Sequence, residues 1–218
     1  MRKHVPVFAV FAGCQPGAPA TPSFQQDVLP ILAANCVRCH GAPALGGSPP
    51  SMRLDVYGDI AVDDTTKHAG AARLAPLIAL RIVSETQPMP PRFPLDDYQI
   101  ATLQNWAAGV PAGDLAPRGQ PRPDNHVPRI AITRIAQAGD WISIQSAIDD
   151  SDGDLVAGEL RATINGSERI VGSVRSGLVE VRWNSTGVAA GTYPWFAHLD
   201  DGAQVHVLTL GTLTVGGP

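Results

Sequence analysis

Apolar residues change their spacing part-way along the chain. In the first half they recur at helical intervals. Val28, Ile31 and Leu32 make one apolar face and predict a helix over residues 24–40, with Asp27 as N-cap, Pro30 in the first turn and Gly41 as the stop. Residues 74–83 are apolar enough for a buried helix. Residues 96–108 carry the clearest pattern. Asp96 and Gln99 form a capping-box pair, Ile100, Leu103 and Ala107 mark a face with Trp106 beside it, Gly109 falls at C′ and Pro111 blocks extension. The stretch between is less regular, and residues 59–69 are polar.

Beyond residues 118–128, a Pro-rich polar stretch that reads as a linker, the apolar residues alternate. Ile130 and Ile132 share a face, as do Ile142, Ile144 and Ile148. Leu160, Ala162 and Ile164 run into Asn165-Gly166, a hairpin signal. Val179, Val181 and Trp183 follow, then Tyr193, Trp195, Ala197 and Leu199 up to the turn Asp200-Asp201-Gly202, and Val205 and Val207 open a last run ending at Val215. About seven short strands joined by turns predict an antiparallel sandwich.

Composition narrows the function classes. The 218 residues are 44% hydrophobic and 17% charged, with a net charge of −4, which disfavours a nucleic-acid binder. No run approaches the roughly 20 apolar residues of a membrane-spanning helix. The N-terminus looks like a targeting segment: Arg2, Lys3 and His4 precede a short apolar core, and Phe11-Ala12-Gly13-Cys14 resembles the lipobox of bacterial lipoproteins. The expected organisation is a signal peptide over residues 1–13, lipidation at Cys14, and a Pro/Ala/Gly tether over 14–23.

The candidate chemistry sits at Cys36-Val37-Arg38-Cys39-His40, followed by Gly41. Two cysteines three apart with a histidine after the second form the covalent haem-attachment pattern. On a helix the thiols share a face and reach both vinyl groups of one porphyrin, while His40 is the candidate proximal iron ligand. Met89, held among prolines in Gln87-Pro88-Met89-Pro90-Pro91, is the candidate distal ligand, with His68 and Met52 as weaker rivals. The three cysteines are then all used, one by lipid and two by haem. A Cys₂His zinc site lacks a fourth ligand.

These features resemble a class I monohaem cytochrome c. Pro30-Ile31-Leu32, Asn35-Cys36, Cys39-His40-Gly41, then Met89-Pro90-Pro91, Leu95, Ile100, Leu103, Trp106 and Gly109 follow that family's pattern over residues 24–110. The resemblance implies an all-α domain, over residues 24–117, whose first and last helices cross beside one haem c. In it Cys36 and Cys39 form the thioethers, and His40 and Met89 are the axial ligands. Gly191-Thr192-Tyr193 looks like the tyrosine corner of immunoglobulin-like domains, and residues 149–154 (DDSDGD) resemble the acidic loop of bacterial PKD and cadherin-like modules. Residues 129–218 are therefore expected to form an all-β immunoglobulin-like sandwich, making the chain multi-domain. Asp150, Asp152 and Asp154 alternate as in a calcium loop, but Leu155 stands where an EF-hand needs Gly and Arg161 where it needs Glu. The stretch reads first as an Asp/Gly turn and second as a weak Ca²⁺ site. His198 and His206 flank a hairpin turn without a third ligand.

The expectation from sequence is one-electron transfer, without catalysis on this chain, in an exported protein. It would face the periplasm or cell surface and be lipid-anchored to the outer membrane, with a redox protein or membrane complex as partner and no nucleic acid. The alternatives are an electron-accepting subunit of a larger enzyme and a haem-based ligand sensor.

Overall fold

A turn of π-helix, Phe24–Val28, is the first regular element among the described residues. Val28 N–H reaches back five residues to Ser23 O (3.2 Å), and Asp27 accepts from Ser23 N (2.7 Å). Ser23, not Asp27, is thus the N-cap residue, and Asp27 closes the turn from inside. The structure, a computed structural model, describes residues 17–110 and 114–216; Cys14 and the expected signal segment lie outside the described residues.

The predicted first helix is broken again at Cys36. Helix α1 (Leu29–Asn35) keeps Pro30 in its first turn, and α2 (Val37–His40) follows a break at Cys36 (φ −122°, ψ −42°). Gly41 ends α2 because a Cβ there would lie 2.6 Å from Val37 O. Strands β1 (Met52–Arg53), β2 (Ile60–Ala61) and β3 (Lys67–Gly70) then form a small sheet in the order β1-β3-β2. A Cβ on Gly70 would lie 2.1 Å from Gly58 O, so only glycine allows this crossing.

Helix α3 (Ala71–Arg81) carries Pro76 in its interior. A proline has no N–H, so the Ala72 carbonyl loses its helical donor. Ala116 N–H takes that place at 3.1 Å, docking the incoming segment on the helix. Helix α4 (Asp97–Ala107) starts with the reciprocal Asp96/Gln99 capping box and is followed by Gly109 at φ +73°. Phe24 packs on Tyr57 (centroids 5.3 Å apart) and on Trp106 (5.6 Å), joining the first turn to α4. Phe24 and Trp106 are fully buried; burial of an apolar side chain of this size contributes about 1.5–3 kcal/mol.

The expected all-α first domain is corrected by this architecture. Among the described residues β structure predominates, and the α-helices are four short ones of 7, 4, 11 and 11 residues. Residues 59–69 carry no helical period, and Ile60, Val62, Thr65 and Thr66 are β-branched, so this stretch pairs as short strands joined by turns.

Seven longer strands follow: β4 (Arg129–Ala138), β5 (Trp141–Asp149), β6 (Ala157–Ile164), β7 (Ser167–Arg175), β8 (Gly177–Asn184), β9 (Gly191–Asp200) and β10 (Val205–Val215). They pair antiparallel in two sheets, β4-β5-β8 and β10-β9-β6-β7. Ile142, Ile144, Leu160, Trp195, Leu199 and Leu213 interdigitate between them. Asn165 (φ +52°) and Gly166 (φ +78°) make the β6–β7 hairpin turn, and Tyr193 donates its hydroxyl hydrogen back to Ala189 O at 2.7 Å.

The start of β6 is buried on both faces, because the N-terminal unit covers its outer side. Glu159 accepts from Ala61 N and pairs with Arg161. Arg118 lies 3.8 Å over the Tyr57 ring and grips both carboxylate oxygens of Asp200 at 2.7 and 3.0 Å. Residues 118–128 have no helix or strand and bond to both sides: Phe24 N to Arg118 O (2.8 Å), Ser23 Oγ to Gln120 O (2.7 Å), and Asn125 Nδ2 to Asp201 (3.0 Å). This segment is a fastened strap.

Candidate functional site: a thiol-lined cavity

Four of the residues singled out in the sequence line one cavity of about 590 Å³: Cys36, Cys39, His40 and Met89. Three short elements bring them there. The α2 turn presents the cysteines and histidine, with Cys39 N (3.0 Å) and His40 N (2.9 Å) both donating to Cys36 O. His40 O in turn accepts from Leu54 N at 2.7 Å, pinning the motif beside β1. The end of α3 holds the methionine loop: Met89 N donates to Arg81 O (3.1 Å), and the Arg81 guanidinium bonds the Gln87 side chain. The Met89–Pro90 peptide is cis.

The remaining lining is apolar, with Leu54, Leu74, Leu77, Ile78 and Ile82 among it. Arg53, at the end of β1, and Asp55 form a buried bidentate pair at 2.7 Å through each oxygen. Gly46, at φ +65°, brings the backbone past Cys39; a Cβ there would stand 3.5 Å from Sγ.

Electrostatics follow from burial. Desolvation, with a smaller contribution from Cys39, pushes the Cys36 thiol up to about 11. Burial also lowers the pKa of His40, so its imidazole is neutral at pH 7. His40 Nδ1 is buried and has no hydrogen-bond partner among the described residues. Thiols, a neutral imidazole and a thioether facing one apolar space are the donors that hold a porphyrin and its iron. The volume lies within the ~300–1,000 Å³ of sites that enclose small ligands and cofactors. The residues present therefore fit a haem group.

The two rivals for the distal position separate. Met52, weighted least in the sequence, lines the cavity with Met89, whereas His68 sits on β3 opposite Ile60 and is not among the lining residues. The apolar wall from α3 has a signal in the 74–83 run, but nothing in the spacing assigned it to the same cavity as Cys36. The other candidate residues lie elsewhere. Asp150, Asp152 and Asp154 converge in the β5–β6 loop, with one carboxylate oxygen of each within 4.8 Å of the other two. His198 and His206 do not meet: His206 is bonded to Asp201 (2.7 Å), and His198 pairs with Val207 in the β9–β10 register.

Comparison with known proteins finds no matching family model, no matching curated protein and no matching solved structure.

Proposed function

We propose that the N-terminal unit binds one haem c covalently and passes single electrons. The observation that carries this reading is the convergence of Cys36, Cys39, His40 and Met89 on one apolar cavity. Cys36 and Cys39 would anchor the group, and His40 and Met89 would hold its iron. When bound, the haem supplies a one-electron couple, with methionine sulfur favouring the reduced iron relative to a second histidine. The chain's own contribution is positional. The Cys36 carbonyl fixes the α2 turn, Leu54 N–H fixes the backbone of His40, and Arg81 fixes the backbone of Met89. The apolar wall from α3 lines the space beside them.

Export and lipidation at Cys14 belong to the same reading, since covalent attachment keeps the group from being lost outside the cytoplasm. The partner is then a redox protein or membrane complex, with this chain as carrier or as the electron-accepting subunit of a larger enzyme. The full chain, produced with a haem-attachment system, is expected to show one haem per chain by mass after denaturation and a reversible one-electron reduction. Met89→Ala is expected to abolish the weak Fe–S absorption band and lower the potential, while Met52→Ala leaves both in place. Absence of covalent haem in the wild type ends the reading. Carbon monoxide binding within the mixing time would replace electron transfer with ligand sensing.

A further inference from the structure

We infer that Arg53 and Asp55 are positioning residues for His40: their ion pair fixes Leu54, and through Leu54 the backbone that carries the imidazole. The inference rests on the haem reading, in which that imidazole is an iron ligand.

His40 has little else to hold it. Helix α2 has four residues, too few to sustain itself by its own bonds, and Gly41 ends it directly after the histidine. The His40 carbonyl is held from outside the helix, by Leu54 N–H at 2.7 Å. On the side chain, Nδ1 is buried and has no hydrogen-bond partner among the described residues. A ligating imidazole is ordinarily oriented by a bond from its second ring nitrogen. Here no such bond is made, so the place of the ring follows from the backbone, and the backbone leans on Leu54.

Side chains alternate from β1 onward. Met52 and Leu54 line the cavity, whereas Arg53 and Asp55 are not among its lining residues. Arg53 is 5% and Asp55 8% exposed, and Arg53 Nε and Nη2 each donate to one oxygen of Asp55 at 2.7 Å. Two parallel bonds between a planar guanidinium and a carboxylate admit one relative placement. Because the partners flank Leu54 in sequence, the fork closes a ring around its backbone and fixes the direction of its N–H. Strand β3 holds the other edge, with Arg53 opposite Gly70 in the parallel ladder.

Stability alone does not account for such a pair. Desolvating two charges costs about as much as their attraction returns, and buried ion pairs are often exchanged for apolar residues without loss. What the fork supplies, and an apolar pair does not, is a fixed backbone angle at Leu54.

The test uses the haem-loaded full chain and replaces both partners at once, Arg53→Met with Asp55→Leu, so that the net charge is unchanged and the space stays filled. The Leu54 amide is expected to exchange hydrogen about ten-fold faster than in the wild type, the scale of one weakened hydrogen bond. The amide of Leu103, buried in the same unit, should keep its rate. The ferric wild type should give one set of low-spin electron paramagnetic resonance g values. The double variant, with one haem per chain still attached, should give a second set or a broadened one. Unchanged Leu54 exchange overturns the inference and leaves the haem reading standing. Faster exchange with unchanged g values overturns it too, because the pair then serves the backbone alone. A wild type without covalent haem ends the haem reading and this inference with it. Should the double variant fail to fold, Arg53→Lys keeps the charge but gives up the fork, and the same two readouts decide.

Discussion

The two halves of this molecule solve the problem of an interior differently. The sandwich closes its own: sixteen buried side chains, from Ile142 to Val215, fill the space between two sheets. The N-terminal unit packs Phe24, Leu32, Leu103 and Trp106 around one centre but leaves about 590 Å³ between α2, the end of α3 and the methionine loop. Regular alternation lets a sheet bury one whole face at once. Short helices of 4 to 11 residues cannot do so without a further body to pack against. The sandwich thus fills its own interior, while the other half keeps an open, largely apolar cavity.

This contrast breaks first at the cysteines. Relative to the haem-loaded chain, replacing both Cys36 and Cys39 by Ala should remove the covalent group and lower the N-terminal unfolding transition by about 15 °C or more, because the contacts the group makes only in the folded state are lost. The sandwich transition should stay in place. If both transitions fall together, the two halves form one cooperative unit and the contrast fails.

The complementary break is Leu160→Ala, which opens a cavity at a fully buried sandwich position. Denaturant unfolding should show a loss of about 3–5 kcal/mol in the sandwich alone, with the absorption spectrum of the first unit unchanged. A smaller effect is expected at the seam. Arg118→Ala removes the two bonds to Asp200 and the stack on Tyr57. The guanidinium is partly exposed, so the loss should be about 1–2 kcal/mol, seen as a wider separation between the two transitions.

The smallest effect concerns pH. The hydrogen bond and charge of Asp152 raise the pKa of His126 above 6.5, and hydrogen bonds from the His126 backbone and ring hold Asp152 below 3.8. The histidine's contribution is complete below pH 6.5 and is lost as the pH rises through its raised value. That of Asp152 is complete above pH 3.8 and is lost as the pH falls through its lowered value. The pair therefore stabilises between these limits, but His126 is exposed and the bond is open to water. His126→Ala should lower Tm by about 1 °C or less at pH 5 and by less still at pH 8.5.

Much of the local structure was legible in residue order. The Asp96/Gln99 box, the Asn165-Gly166 turn and the alternation from Ile142 to Ile148 depend on neighbours a few positions apart, and each is found in place. The break at Cys36 and the strands around Gly70 were not legible. They depend on a carbonyl at Gly58 and on helix packing that no short window contains. Among the candidate sites, the attachment motif stood out in five residues, and the Met-Pro-Pro loop by composition. Met52 stood only as a weaker rival, since nothing about its surroundings in sequence says that β1 borders the cavity. The strap is a similar case. Its prolines made it read as a linker, yet Arg118 O accepts from Phe24 N and Asn125 Nδ2 donates to Asp201.

By itself the sequence determined the donors: two thiols and an imidazole within five residues, a methionine between prolines, and three alternating carboxylates. Those are matters of covalent order and side-chain chemistry. Tertiary structure alone decided which of them share a space. Cys36 and Met89 meet because α3 runs between them and turns back at Arg81. Asp154 meets Gln25 because the strap folds the sandwich onto the first turn. Such meetings depend on packing between segments distant in the chain, which no local pattern encodes.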